Sequence, residues 1–93
     1  MHIIATGGNS TSEELREFAI EQAEEAVKHY DDAAARIAEF MAKAMTKEFG
    51  NYWGAFAYVK GYKEAVGVYF WYRDDNWLQL TNEAIVIDVW KNA

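Results

Sequence analysis

The sequence contains no cysteine and no proline. Without cysteine it can form no disulfide bond, no Cys-ligated zinc site and no thiol nucleophile. The longest apolar stretch, Val66 to Tyr72, is far shorter than the roughly 20 residues that a membrane-spanning helix needs. No basic segment followed by an apolar segment opens the chain, so we expect neither a secretory signal nor membrane insertion.

Basic residues are scarce: 9 Lys and Arg stand against 15 Asp and Glu, giving a formal net charge of −6. Residues 13–32 hold eight acidic and two basic side chains, so the whole net charge lies in this segment. No basic stripe is present, which argues against nucleic-acid binding. What is abundant is apolar: 52% of residues are hydrophobic and 16% aromatic, which predicts a single folded domain over residues 1–93.

Two amphipathic helices are predicted in the first half. Ser10 and Thr11, each with a glutamate three residues later, fit capping boxes that start a helix running to about Tyr30. A second helix is predicted from about Ala33 to Phe49, with Gly50 after it as a suitable stop. The acidic side of the first helix is either a solvated face or a docking surface for a basic partner.

Alternating apolar residues predict strands before and after the helices. The predicted strands are His2–Thr6, Trp53–Lys60, Ala65–Tyr72, Trp77–Thr81 and Ala84–Trp90. The order β-α-α-β-β-β-β predicts an α+β fold with two helices packed on an antiparallel β-sheet. Both faces of several strands are apolar, as at Phe56, Tyr58 and Trp90, so we expect apolar surface left over for a partner, most simply a second copy.

The residues provide no recognisable catalytic or metal-binding set, so we expect a non-enzymatic protein without cofactor. No Ser-His-Asp arrangement, phosphate-binding loop or dinucleotide fingerprint is present. The acidic pairs at 31–32 and 74–75 lack the spacing of a calcium-binding EF-hand loop. Asp88, within an apolar strand, either pairs across an interface or faces water at an edge. Tyr69, Trp71 and Trp77 either line a groove or small-ligand site or belong to ordinary packing.

The order of elements and several strings resemble the cytoplasmic dynein light chain family over roughly residues 3–93. The matching strings are Ser12–Leu15, Lys28–Tyr30, Ile37-Ala38, Lys47–Phe49 with Trp53, Gly67–Phe70 and Ile85–Lys91. The resemblance implies the dynein light chain fold, in a homodimer in which the strand at 65–72 crosses into the sheet of the other subunit. It also implies a cytoplasmic, cytoskeleton-associated protein.

In such a dimer, linear peptide segments of client proteins, such as the dynein intermediate chain, would add as an extra strand beside the exchanged strand. The resemblance therefore implies a peptide-binding groove and dimer strand formed by Val66, Gly67, Val68, Tyr69, Phe70, Trp71, Tyr72, Arg36, Gln79 and Thr81. Gly67 is unusual within a strand, and it marks either a simple bulge or the close approach of another backbone.

Several positions depart from the family pattern. Val68 replaces a serine of the groove, and Gln79 and Thr81 fall where the family has tyrosines. Gly54 falls where the family has a histidine at the dimer interface, so a histidine-based pH switch is absent at that place. We therefore expect the fold and the dimer of the family to carry over to this chain better than recognition of the family's usual client motif.

The chain also resembles the C-terminal domain of fluke tegument proteins that combine this fold with EF-hands. That resemblance implies a dimerising domain, located in the tegument, of a protein whose calcium sites lie outside this chain.

Overall fold

The structure is a computed structural model that describes residues 1–7, 12–50, 52–60 and 76–91. Its elements are β1 (His2–Gly7), α1 (Glu13–Tyr30), α2 (Ala34–Phe49), β2 (Trp53–Val59), β3 (Trp77–Thr81) and β4 (Ile85–Lys91). The predicted α+β fold, with two helices on an antiparallel sheet, is confirmed. The predicted strand at 65–72 lies outside the described residues.

Helix α1 begins at a serine cap, although not at either predicted capping box. The Ser12 hydroxyl accepts a hydrogen bond from the Leu15 backbone N–H at 3.1 Å, and the helix starts one residue after Ser12. Glu13 and Glu14 fill the first turn, where negative charge suits the helix dipole. The apolar stripe of the helix is narrow and made mainly of alanine: its buried residues are Leu15, Ala19, Ala23 and Ala26.

Helix α2 ends at Phe49, and Gly50 caps it with a positive φ of 72° that glycine adopts without steric cost. The next strand is fastened to this helix end by Trp53. Its backbone N–H donates to the Thr46 hydroxyl at 3.0 Å, and its indole N–H donates to the Gly50 carbonyl at 3.1 Å. The start of β2 is therefore held against the last turn of α2.

The four described strands form one antiparallel sheet in the order β1-β3-β4-β2. The sheet is not a simple up-and-down meander, because the last strand, β4, lies between β3 and β2. A tight turn joins β3 to β4, in which the Asn82 side-chain oxygen accepts from the backbone N–H groups of Ala84 and Ile85. The Thr81 hydroxyl donates to the Ile85 carbonyl at 2.9 Å.

One face of the sheet, here called the inner face, closes the hydrophobic core against the helices. Helix α2 packs on β2 and β4, and α1 packs mainly on α2. The fully buried side chains of this core are Ile37, Met41, Met45, Leu78, Leu80, Ile87 and Val89. No helix in the described part of the chain is long and apolar enough to cross a membrane.

Candidate interaction surfaces

The other face of the sheet, here called the outer face, presents three rows of side chains that run across the strands. The strand registers define the rows as Gly7, Trp77, Trp90 and Gly54; Ala5, Gln79, Asp88 and Phe56; and His2, Thr81, Val86 and Tyr58. Five of these twelve residues are aromatic or large aliphatic, which is unusual for the side of a sheet turned away from its helices. The outer face is therefore a candidate interaction surface.

Both tryptophans of the first row lie over glycines of the neighbouring strands. A Cβ atom at Gly7 would stand 1.8 Å from the Trp77 indole nitrogen, and a Cβ at Gly54 would stand 2.4 Å from the Trp90 ring. Such distances leave no room for a side chain at either glycine. Trp77 and Trp90 are themselves directly paired across β3 and β4, and the two indoles over the glycine backbone are here called the indole layer.

Asp88 occupies the centre of the middle row, between Gln79 on β3 and Phe56 on β2. Only 3% of the residue is exposed, although a carboxylate is rarely buried without a partner. Burial raises the pKa of Asp88 to about 6, while a hydrogen bond from the Gln79 side chain acts in the opposite direction. Burial, and then the negative charge of Asp88, raise the pKa of Tyr58.

A second candidate surface lies at the start of β2, the terminal strand of the described sheet. A shallow hollow of about 390 Å³ lies there between the start of β2 and the second half of α2, and it is here called the β2–α2 hollow. Its lining residues are Ala42, Lys43, Thr46, Lys47, Tyr52 and Trp53. Tyr52 is 78% exposed, so the hollow offers an aromatic side chain to solvent next to the start of the strand.

A third concavity, of about 370 Å³, lies between the two helices. Arg36, Lys43 and Lys47 give it a basic rim along α2, and Tyr30 and Phe40 form its floor with ring centroids 6.2 Å apart. Lys43 is already paired with Glu39 at 2.7 Å, so part of the positive charge is satisfied within the helix. Each partner of this pair shifts the pKa of the other toward the charged form.

The structure describes only some of the predicted groove residues. Val66, Gly67, Val68, Tyr69, Phe70, Trp71 and Tyr72 lie outside the described residues, so their role stays a prediction. Arg36 is exposed on α2, on the helical side of the sheet. Gln79 and Thr81 belong to the outer face, where Thr81 is committed to the β3–β4 turn. Within one chain, the structure does not bring Arg36 together with the other two.

Two features of the outer face were missed or misplaced by sequence reasoning. The expectation that Asp88 faces water at an edge is wrong, because β4 is an internal strand and Asp88 is buried. The indole layer over Gly7 and Gly54 was not predicted. Glycines within two apolar strands were the available signal, but the register that pairs them with tryptophans is a property of the assembled sheet.

The described residues contain no group of three or more His, Asp or Glu side chains placed to hold a metal ion. Sequence comparison gives no match to any protein-family model or curated protein.

Structure comparison gives close matches. Two of them are solved structures of the dynein light chain-like domain of the Fasciola hepatica calcium binding protein FhCaBP2. Its mercury derivative has a TM-score of 0.73 at 16% sequence identity, over 99% of this chain and 91% of that chain. A native crystal form gives 0.74 at 16% identity, over 99% and 90% of the two chains. The chain therefore has the dynein light chain-like fold.

Proposed function

We propose that this chain is a non-enzymatic interaction module that forms a homodimer and binds linear peptide segments by strand addition. The observation that carries the dimer is the outer face, where Phe56, Tyr58, Trp77 and Trp90 lie together on the side of the sheet away from the helices. A patch of this kind is self-complementary when two copies meet about a twofold axis. The dynein light chain-like fold supports the same arrangement through the resemblance described above.

The β2–α2 hollow supports the peptide-binding part of the proposal. In the described sheet, β2 is the terminal strand, and the hollow lies at the start of this strand, where Tyr52 and Trp53 face two lysines of α2. An extended segment placed there can gain main-chain hydrogen bonds from a strand while its alternate side chains enter the hollow. Client segments of cytoplasmic, cytoskeleton-associated proteins, such as the dynein intermediate chain, are the proposed occupants.

The dimer is tested by measuring the mass in solution at micromolar concentration with light scattering. We expect the mass of two chains for the natural sequence and a shift toward one chain for Tyr58→Glu, which puts a charge on the outer face. The control Ala35→Glu adds the same charge at an exposed helical position and should leave the dimer intact. A natural chain that stays monomeric contradicts the proposal.

Strand addition is tested with peptides selected from a library of displayed random linear segments. Val68→Pro removes a backbone N–H from the predicted client strand, whereas Val68→Ala keeps it, so only the proline variant should lose binding. Fluorescence polarisation of a labelled selected peptide measures the difference, and light scattering checks that the dimer persists. Equal binding by both variants, with the dimer intact, shows that the groove lies elsewhere.

A second candidate function is that of a dimerising domain of a tegument calcium-binding protein with EF-hands outside this chain. This candidate is favoured by the fold match to the dynein light chain-like domain of a calcium binding protein. This chain covers about nine-tenths of that solved domain. Calorimetry with calcium should then show no binding to this chain alone. A tight calcium site in the chain would contradict both this candidate and our interpretation of its acidic segments.

A further inference from the structure

Asp88 is an anomaly at the middle of the outer face. Among the described residues, its Oδ1 atom is the one buried side-chain oxygen or nitrogen that has no hydrogen-bond partner. Its cross-strand neighbours are Phe56, an aromatic ring, and Gln79, an uncharged amide. A buried carboxylate normally has a cation or several donors around it, and these neighbours provide at most the Gln79 amide.

Within the described residues, the titratable groups that share this face do not neutralise the carboxylate. On β2 the group is Tyr58, whose pKa is raised by burial and by the negative charge of Asp88. On β1 it is the exposed His2, which pairs with Thr81 rather than with a middle-row residue. The described part of β3 contributes none, and α1 and α2 pack on the opposite face of the sheet.

A protonated Asp88 suits this position better than an ionised one. The neutral carboxyl group both donates and accepts hydrogen bonds, whereas the carboxylate only accepts them. Mildly acidic pH is also enough to protonate Asp88, because burial raises the pKa of this carboxyl group to about 6. Covering the half-buried neighbours of Asp88 with a second apolar surface removes the water around them and favours the neutral form of the carboxyl group still more.

We propose that Asp88 makes the pairing of two copies through the outer face acid-dependent, with tight pairing when the carboxyl group is protonated and weak pairing when it is ionised. The inference rests on the proposed function, since it names the regulation of the same dimer. An isologous interface contains Asp88 twice, so ionisation places two uncompensated charges in one contact. Each proton taken up on pairing changes the dimerisation constant by up to about tenfold per pH unit.

Analytical ultracentrifugation from pH 5.0 to 8.0 at constant ionic strength tests the inference. For the natural chain we expect the dimer dissociation constant to rise by at least about tenfold between pH 5.0 and 7.5. Asp88→Asn, which is neutral and similar in shape, should dimerise tightly and equally at every pH. Because ultracentrifugation measures the dimer dissociation constant, it separates this effect from a general loss of folding.

Two control variants separate Asp88 from other sources of pH dependence. Glu17→Gln removes one exposed carboxylate from α1 and should keep the natural pH dependence, which checks the effect of the chain's overall acidity. His2→Ala removes the histidine that is paired with Thr81 on the outer face. It should also keep the natural pH dependence.

The outcomes distinguish the inference from the proposed function. A chain that is monomeric at every pH overturns the homodimer, and the inference with it. A dimer whose dissociation constant is independent of pH, or changes equally in Asp88→Asn, overturns the inference and leaves the homodimer standing. If Asp88→Asn does not fold, carboxyl carbon NMR of the natural dimer decides: an Asp88 titration at or below its ordinary pKa contradicts the inference.

Discussion

The inner and outer faces of the sheet are made by alternate residues of the same strands, yet they differ in chemistry. On β4, Ile87 and Val89 are fully buried against the helices, while Asp88 between them belongs to the outer face. The inner face is aliphatic and closed within one chain. The outer face combines large aromatic rings with an amide, a hydroxyl and a carboxyl group, and its aromatic side chains are half-buried.

The difference separates two tasks that one sheet performs. The aliphatic centre of the inner face provides folding energy, because burial removes the apolar surface of its side chains from water and none of them needs a hydrogen-bond partner. A face of rings with a few polar groups is typical of the centre of an interface, where aromatic residues are enriched. Changes to the inner face should therefore act mainly on stability, and changes to the outer face mainly on association.

The largest loss of stability is expected from Leu80→Ala, which opens a cavity in the inner face at a fully buried position. The free energy of unfolding should fall by about 3 kcal/mol, as is typical of such truncations. Urea denaturation followed by circular dichroism measures it. Phe56→Ala on the half-buried outer face is the comparison, and an equal loss of unfolding free energy would break the distinction between the faces.

Asp88→Asn should instead raise the free energy of unfolding at pH 7.5, at matched protein concentration. Because burial raises the folded-state pKa from 3.8 to about 6, the folded chain holds the proton more firmly, and stability is lost as pH rises through that interval. The difference in pKa corresponds to a gain of up to roughly 3 kcal/mol above pH 6.

This gain should vanish in acid. Below about pH 4 the carboxyl group is protonated in both the folded and unfolded states, so the two proteins should have similar unfolding curves. Thermal melts at pH 3.5 and 7.5 provide the check. A gain of the same size at both pH values would show that the charge of Asp88 is not its cause.

Gly54→Ala should lower the free energy of unfolding by about 2 kcal/mol, because the new methyl group overlaps the Trp90 ring. The cost should shrink in the Trp90→Leu background, where the overlap is relieved. A double-mutant cycle in urea measures this coupling. Additive effects of the two substitutions would show that the indole does not lie over the glycine.

The smallest effect is expected from Ser12→Ala, which removes the cap of α1 and should cost about 1 kcal/mol. Ser12→Asp retains an acceptor and should be nearly neutral. Because Ser12 is remote from the outer face, the dimer dissociation constant should not change in either variant. A weaker dimer in sedimentation would show that the helical layer takes part in association.

Sequence patterns predicted the secondary structure more closely than the sheet. The bounds of β3 and the end of α1 at Tyr30 agree with the structure, because helical and strand periodicity are local properties. The position of β4 between β3 and β2 was not predicted, since pairing of distant strands leaves no local signature. The misplacement of Asp88 follows from the same cause: whether a strand is internal depends on its neighbours.

The candidate interaction surfaces were likewise predicted only in part. An apolar outer face was predicted from the alternation of Phe56 and Tyr58 with the inner residues of β2, and the structure confirms both side chains on that face. The groove residues came from family resemblance, and of these only Arg36, Gln79 and Thr81 are described. The indole layer could not be predicted because it depends on the register of four strands.

The indole over Gly54 also limits which residues fit at that position. A histidine there, which the resemblance associates with pH control of the dimer, would carry at least the cost expected for Gly54→Ala, because its Cβ would stand 2.4 Å from the Trp90 ring. A smaller residue at position 90 would relieve that cost. With tryptophan at position 90, packing therefore disfavours a histidine at position 54, whereas the acidic side chain of Asp88 is already accommodated in the adjacent row.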